Sequence, residues 1–207
     1  VLAGLLIAVI AGAFDFILKP GGSEDTSGES APGLYINEVV SSNKYSLEAS
    51  DGTTPDWIEI YNCTGSTINL KGYGLTDSTN ERYKFEFPSV NIKNGEYLLV
   101  YCTGTEDLSN SDGILRAGFK ISADGATLIL SAPEDVTVQA LQVGAMPADV
   151  SYGRADDGSY LYYAVPTPGA KNEGTTNTTP DFAEAVAQSS VVINEYMLDN
   201  QLSVMDE

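Results

Sequence analysis

The stretch Asp56-Trp57-Ile58-Glu59-Ile60-Tyr61-Asn62 decides the fold class of this chain. Its two isoleucines, Ile58 and Ile60, alternate with polar or aromatic neighbours, as expected of a β-strand with one buried face. Similar alternation recurs at short intervals over residues 34–172, between turns rich in Gly, Asn, Asp and Pro, without the 3.6-residue period of a helix. The pattern predicts an all-β fold, an immunoglobulin-like antiparallel β-sandwich of seven to nine strands preceded by an N-terminal hydrophobic segment.

The N-terminal segment predicts export. Residues 1–14 are apolar or small without interruption, and after Asp15 three more apolar residues follow, up to Leu18. The run opens without Met, so we interpret residues 1–19 as a truncated transmembrane anchor or signal segment. Residues 20–32 are Gly, Ser and acidic residues, which predict a flexible polar linker. We therefore expect an extracellular, cell-surface protein, anchored in the membrane at its N-terminus, or secreted if the signal is cleaved.

A short internal repeat indicates a modular protein. Ile36-Asn37-Glu38 recurs as Ile193-Asn194-Glu195 and Asn43 recurs as Asn200, both at an offset of 157, since 193 − 36 = 157 and 200 − 43 = 157. Residues 33–172 are predicted to form one sandwich domain, and residues 173–190 a linker with a possible short helix at 182–188. Residues 191–207 then form the first strand of a truncated second copy, so we expect a tandem neighbour domain in a longer protein.

Composition excludes several classes of function. With 29 acidic and 10 basic residues the net charge is −19, which repels phosphate backbones, so no nucleic acid partner is expected. The chain has no His and no phosphate-binding glycine loop. We predict no catalytic residue, metal or cofactor in these 207 residues, and any catalytic domain would lie beyond Glu207.

Acidic turns and the two cysteines have ordinary structural interpretations. Aspartates precede glycine at positions 51, 112, 124 and 157, without the alternating ligand register of a calcium loop, so we interpret them as turns. Cys63 and Cys102 each end an apolar run. If those two strands pair antiparallel, the cysteines lie at opposite ends of the ladder, roughly 20 Å apart, which predicts two free thiols. A disulfide would require a different pairing.

A series of short motifs resembles the lamin tail domain family, in the form found in bacterial exported proteins. The motifs run, in order, from Tyr35-Ile36-Asn37-Glu38 and the stretch 56–62 to Leu70-Lys71-Gly72-Tyr73-Gly74-Leu75-Thr76-Asp77, Gly95-Glu96-Tyr97-Leu98-Leu99-Val100, Ser151-Tyr152-Gly153-Arg154 and Pro166-Thr167-Pro168-Gly169-Ala170-Lys171-Asn172. The resemblance implies an immunoglobulin-like sandwich that acts as an accessory module of anchored or secreted proteins. The motif positions are Asn37, Glu38, Asp56, Trp57, Glu59, Asn62, Asp77 and Arg154.

Several of these residues allow more than one interpretation. Glu38 and Glu59 lie beside apolar neighbours, so they need Arg154 or backbone N–H groups as partners, unless they form a carboxylate pair of the glycosidase type. Asp77 closes a turn or, as the alternative, holds a metal. Trp57 covers one end of the sandwich or presents an aromatic surface.

We expect a non-catalytic extracellular module that tethers, spaces or adheres through contacts with a surface protein or glycan. Tyr160, Tyr162 and Tyr163, placed in a late loop, are its candidate binding patch. The first alternative is an accessory domain of a larger surface enzyme, a hydrolase, nuclease or spore-coat-type kinase. The second is a filament subunit that uses the N-terminal apolar helix.

Overall fold

The computed structural model describes residues 33–105 and 113–181. The predicted anchor, the first linker, the possible helix at 182–188 and the predicted second copy lie outside the described residues. Within the described ranges every regular element is a β-strand, and there is no helix long and apolar enough to cross a membrane.

The predicted fold class is confirmed: the domain is an all-β, immunoglobulin-like sandwich. The described residues form thirteen strands, of which four have only two residues, so 13 − 4 = 9 are longer. The strands are β1 (Leu34–Val40), β2 (Asp56–Asn62), β3 (Ile68–Asn69), β4 (Gly74–Thr76), β5 (Phe85–Glu86), β6 (Asn91–Ile92), β7 (Tyr97–Cys102), β8 (Leu115–Ala117), β9 (Ala126–Ala132), β10 (Val136–Val143), β11 (Ser151–Arg154), β12 (Tyr160–Tyr163) and β13 (Thr176–Asn177).

Two main sheets form the layers of the sandwich. The larger sheet has the order β13-β12-β11-β1-β2-β7-β8, the smaller has the order β10-β9-β4-β5, and β3 pairs with β6 separately. All pairs are antiparallel, as predicted, except that β7 and β8 pair in parallel at one edge. The large sheet extends beyond the predicted domain end at residue 172, because β13, in the segment predicted to be a linker, pairs with β12.

The main core lies between the two sheets. Alternate residues of the central strands point inward, as the period of two predicts, and Ile36, Ile58 and Ile60 are fully buried there. They pack with aromatic and aliphatic side chains of the opposite sheet, among them Phe85, Leu128 and Leu130. Each fully buried side chain of this size contributes roughly 1.5–3 kcal/mol to folding.

The outer face of the large sheet is also covered. Trp57, which alternates with Ile58, is fully buried in a second, smaller cluster with Val40, Ala49 and Tyr101. Trp57 is therefore a covered side chain, and it presents no aromatic surface. Two chain segments lie over this outer face. Residues around Ala49 cover its apolar half, which includes Trp57, and residues 166–172 cover the half that carries Glu38 and Glu59.

The cysteine and turn predictions are confirmed where the structure describes them. Neither Cys63 nor Cys102 is in a disulfide, and Cys102 lies opposite Asp56, at the far end of the β2–β7 ladder from residue 63. In the turn at Asp51, the backbone N–H and hydroxyl of Thr53 donate to the carboxylate at 3.0 and 2.6 Å, and Gly52 takes a positive φ of 78°. The turn at Asp157 has the same pattern, while position 112 lies outside the described residues.

Candidate functional site

Two glutamates face each other on the outer side of the large sheet. Glu38 on β1 is the direct partner of Glu59 on β2, because a bulge shifts the register between Ile36 and Glu38. Glu59 alternates with two core isoleucines, so it points away from the main core. Both glutamates are nevertheless 0% exposed.

Residues 166–172, here called the strap, cover both carboxylates and supply their hydrogen bonds. The Thr167 backbone N–H donates to both oxygens of Glu38 at 3.1 Å, and the Gly169 backbone N–H donates to Glu59 Oε2. The Ser151 hydroxyl donates to Glu38 Oε1 at 2.5 Å. The sequence predicted either Arg154 or backbone N–H groups as partners of these two acids, and the structure shows that backbone N–H groups bind both of them. Arg154 instead lies over the ring of Tyr35, with its guanidinium carbon 3.9 Å from the ring centroid.

Two asparagines hold the strap against the sheet. Asn37 donates from Nδ2 to Glu59 Oε1 at 2.9 Å and to Asn172 Oδ1 at 3.3 Å. Asn172 donates from Nδ2 to the carbonyl oxygens of Asn37 and Arg154, both at 3.0 Å. Both asparagine side chains are buried. The carboxylates, the asparagines and the strap therefore form one closed polar network, in which each buried polar group has a partner.

Burial changes the titration of both acids. Removal from water raises the pKa of Glu38 to about 7, although its hydrogen bonds from Ser151 and Thr167 act in the opposite direction. The pKa of Glu59 is also raised to about 7, chiefly by burial and further by the nearby charge of Glu38. At neutral pH the pair therefore holds bound protons that two exposed glutamates would have released.

A carboxyl pair with raised pKa can serve acid–base chemistry only if a substrate reaches it. Here the strap occupies that position, and its backbone N–H groups use the carboxylate oxygens as acceptors. The arrangement holds the strap to the sheet. Within the described ranges there is also no group of three or more Cys, Asp and Glu residues that could hold a metal ion.

The remaining motif positions have structural contacts. Asn62 donates from Nδ2 to the carbonyl oxygens of Ser66 and Ile92 at 2.7 and 2.8 Å, which fixes the turn after β2. Asp56 accepts from the backbone N–H of Asn43 at 3.3 Å. Asp77 pairs with Lys84 Nζ at 2.8 Å.

The turn at Asp77 differs from the prediction. We expected the carboxylate of Asp77 to accept backbone hydrogen bonds, but the Ser78 N–H donates to the hydroxyl of Thr76 at 3.0 Å instead. The carboxylate reaches Lys84 because this lysine lies seven residues along the chain on the returning segment.

The predicted tyrosine patch is wrong. Tyr160, Tyr162 and Tyr163 lie on strand β12, not in a loop, and Tyr162 and Tyr163 are only 9% and 3% exposed. Tyr160 is half-buried, with its hydroxyl bonded to the Ile36 carbonyl and to Gln139. The physical reason is that β12 is an inner strand, paired along both edges with β11 and β13, and that Tyr160 and Tyr162 pack on the main core.

Sequence reasoning missed the partners that build the site. Ser151, Thr167 and Asn172 were motif residues without an assigned role, because a hydroxyl or amide gives no sign of a partner more than 100 positions away. One signal was available: the strap begins with Pro-Thr-Pro-Gly, a sequence typical of a turn, and in the structure Gly169 takes a positive φ of 80°.

A polar cleft lies at the end of the large sheet where β2 begins and β7 ends. Its volume is about 530 Å³. Charges of both signs line it, Asp51 and Asp56 with Arg116 and Lys120, together with the hydroxyl-bearing residues Thr53, Thr54, Thr103 and Thr105.

Comparison with known proteins agrees with this structure. The family model described as Lamin Tail Domain matches residues 27–145, which is 145 − 27 + 1 = 119 of the 207 residues. A search of the curated proteins and a search of the solved structures each found no match. The fold, the motif order and the family match agree, and domains of this kind are immunoglobulin-like and generally non-catalytic. The chain therefore belongs to the lamin tail domain family.

Proposed function

We propose that the domain is a non-catalytic module of the cell surface, which tethers, spaces or adheres through contacts with a surface protein or glycan. The observation that carries this proposal is the covered carboxylate pair. Glu38 and Glu59 are the acids most like a catalytic pair, yet both are fully buried and bonded to the strap. Their role is to hold the domain together.

Sequence features support the location. The apolar residues 1–19 fit a membrane anchor or export signal, and the polar residues 20–32 would separate the folded domain from a membrane. The net charge of −19 opposes contact with nucleic acid. A module held at a surface by such a linker meets its partners at a raised local concentration.

The polar cleft is our proposed contact region for a glycan. Hydroxyl groups of a sugar act as both donors and acceptors, so a cleft with carboxylates, cations and threonine hydroxyls offers partners of each type. Its volume of about 530 Å³ is within the range of small-ligand sites. Lys120, an exposed residue of its rim, contributes a positive charge to an otherwise acidic protein.

Location is tested with protease treatment of intact cells that naturally make the protein. We expect an external protease to remove the domain, as detected with an antibody against it. A domain that resists the protease until the membrane is opened would contradict a surface location.

Binding is tested with the purified full chain on separate glycan and protein fractions of that cell surface. We expect Lys120→Glu to weaken binding, and Lys71→Glu, which makes the same charge change outside the cleft, to leave it unaltered. Equal binding of both variants would remove the cleft from the proposal. A folded Glu38→Gln variant that lost a substrate turnover shown by the natural chain would overturn the non-catalytic assignment.

A further inference from the structure

The sheet edges of this domain differ greatly in length. The two main sheets have four edges, and at three of them the described strands are short: β5 and β13 have two residues each and β8 has three. Short edge strands are one way in which proteins prevent unwanted pairing with other chains. The fourth edge is β10, which has eight residues and is the longest strand of the described domain. Its only strand partner there is β9.

Strand β10 also lacks the usual chemical protection of an edge. Its sequence, Val-Thr-Val-Gln-Ala-Leu-Gln-Val, contains no charged residue and no proline, although the chain as a whole has 29 acidic and 10 basic residues. Charges and prolines on edge strands discourage pairing, and neither is present here. An edge strand directs about half of its backbone N–H and C=O groups away from its single partner.

A bulge limits the regular part of this edge to residues 139–143. The register with β9 shifts between Thr137 and Gln139, and from Gln139 to Val143 it is continuous. Leu141 and Val143 point into the core, while Ala140 and Gln142 are exposed on the outer face of the small sheet. Five regular residues with small or uncharged exposed side chains can accept another strand without burying a charge.

We propose that a second copy of this chain pairs with β10, antiparallel and centred on Leu141, so that the two small sheets become one continuous sheet. An antiparallel strand pairs with itself by two-fold symmetry, which a homodimer requires. Two chains of charge −19 repel one another over most of their surfaces, and an uncharged strand is where they can approach. Antiparallel order also keeps Glu134 and Asp135, at the start of β10, away from the same residues of the other copy.

The contact is small, so the association is weak and reversible. One added strand pair of five residues is below the size of a stable protein interface, and we expect a Kd on the order of 100 µM. This inference does not rest on the proposed surface role, because it concerns only the association of the chain with itself.

The register of the pairing provides the test. In the proposed dimer position 140 of one copy faces position 142 of the other, twice by symmetry. Ala140→Glu with Gln142→Glu places like charges opposite one another, whereas Ala140→Lys with Gln142→Glu places opposite charges there. From the energies of cross-strand charge pairs we expect roughly tenfold weaker association for the first variant and tighter association for the second.

Sedimentation equilibrium of the full chain, in a density-matched detergent because of its apolar N-terminus, measures the dimer constant of all three proteins. Near-ultraviolet circular dichroism and the urea midpoint establish that both variants are folded, since both positions are exposed. A natural chain that stays monomeric up to about 1 mM, or two variants that change the dimer constant equally, would overturn the proposal. If the natural chain stayed monomeric and the two variants instead altered binding to another surface protein, the homodimer would be wrong and the β10 edge would pair with an extended segment of that protein.

Discussion

Replacing Glu38 with glutamine should stabilise the domain at pH 8 and have little effect at pH 5. Glutamine has the shape of a protonated glutamate and no charge. Its partners at this position include two hydroxyl groups, those of Ser151 and Thr167, which can rotate to accept from the new amide. Glu59 is a poorer choice, because both of its oxygens accept from N–H groups that cannot reverse.

The sign of the pH dependence follows from the direction of the shift. Burial raises the pKa of Glu38 from 4.5 to about 7, so between these values the folded state binds protons that the unfolded state has released. Stability from this group is therefore fully present below about pH 4.5 and is lost as the pH rises through about 7. Glu59 behaves in the same way.

The magnitude follows from the size of the shift. The pKa of Glu38 rises by 7 − 4.5 = 2.5, which at about 1.36 kcal/mol for each unit of pKa corresponds to about 3 kcal/mol for Glu38 above pH 7. The substitution loses about 1 kcal/mol at every pH through imperfect hydrogen bonding. We therefore expect Glu38→Gln to be about 2 kcal/mol more stable than the natural protein at pH 8. At pH 5 the natural protein has already lost about 1 kcal/mol of this contribution, so the two proteins should be about equally stable there.

Urea unfolding from pH 5 to pH 8, followed by tryptophan fluorescence, measures both proteins. The window is free of imidazole titration because the chain has no His. Glu96→Gln is the matched control: the Glu96 side chain is 45% exposed and its hydrogen bonds with Lys93 lower its pKa, so its titration ends below this window. If the natural protein gained stability with rising pH, or if Glu38→Gln kept the same slope, the assignment of the carboxyl pair would be refuted.

Three further predictions concern stability and thiol chemistry. Asp149→Ala should cost about 2–3 kcal/mol in urea unfolding, because its carboxylate accepts from three consecutive backbone N–H groups, those of residues 44–46, whereas Asp149→Asn should retain most of that stability. Asn172→Ala should cost about 3 kcal/mol in the same assay and should speed hydrogen exchange of the strap amides, and an unchanged exchange rate would contradict its role in holding the strap. The thiol of Cys102 should react with a thiol reagent only after unfolding, because burial raises its pKa well above the usual value, and rapid reaction in the native state would contradict the packing around it.

The sequence predicted the fold because local alternation is sufficient to identify strands. The stretch 56–62 alternates, β2 forms over the same seven residues, and its isoleucines are in the core. The same logic placed the two cysteines at opposite ends of one ladder, where they form no disulfide. These predictions hold because side-chain direction in a strand depends on adjacent residues alone.

Predictions that depended on which faces are covered were less successful. Tyr162 and Tyr163 alternate like residues with one exposed face, but packing on the core side and neighbouring strands on both edges leave them buried. Trp57 points outward as the alternation requires, and it is still buried, because residues around Ala49 return over that face. Alternation gives the face of a sheet on which a residue lies, and it does not show whether another segment covers that face.

The sequence by itself determined the all-β class, the absence of imidazole chemistry, the strongly acidic charge and the family, because each depends on composition or on neighbours along the chain. Only the tertiary structure decided that Glu38 and Glu59 meet, through a one-residue bulge, and that a strap from more than 100 positions away covers them. The same holds for the edge position of β10, which depends on the order of strands in the sheet. Long-range strand pairing settles the register and the strand order. These in turn decide which side chains are buried, and burial raises the pKa of the two acids.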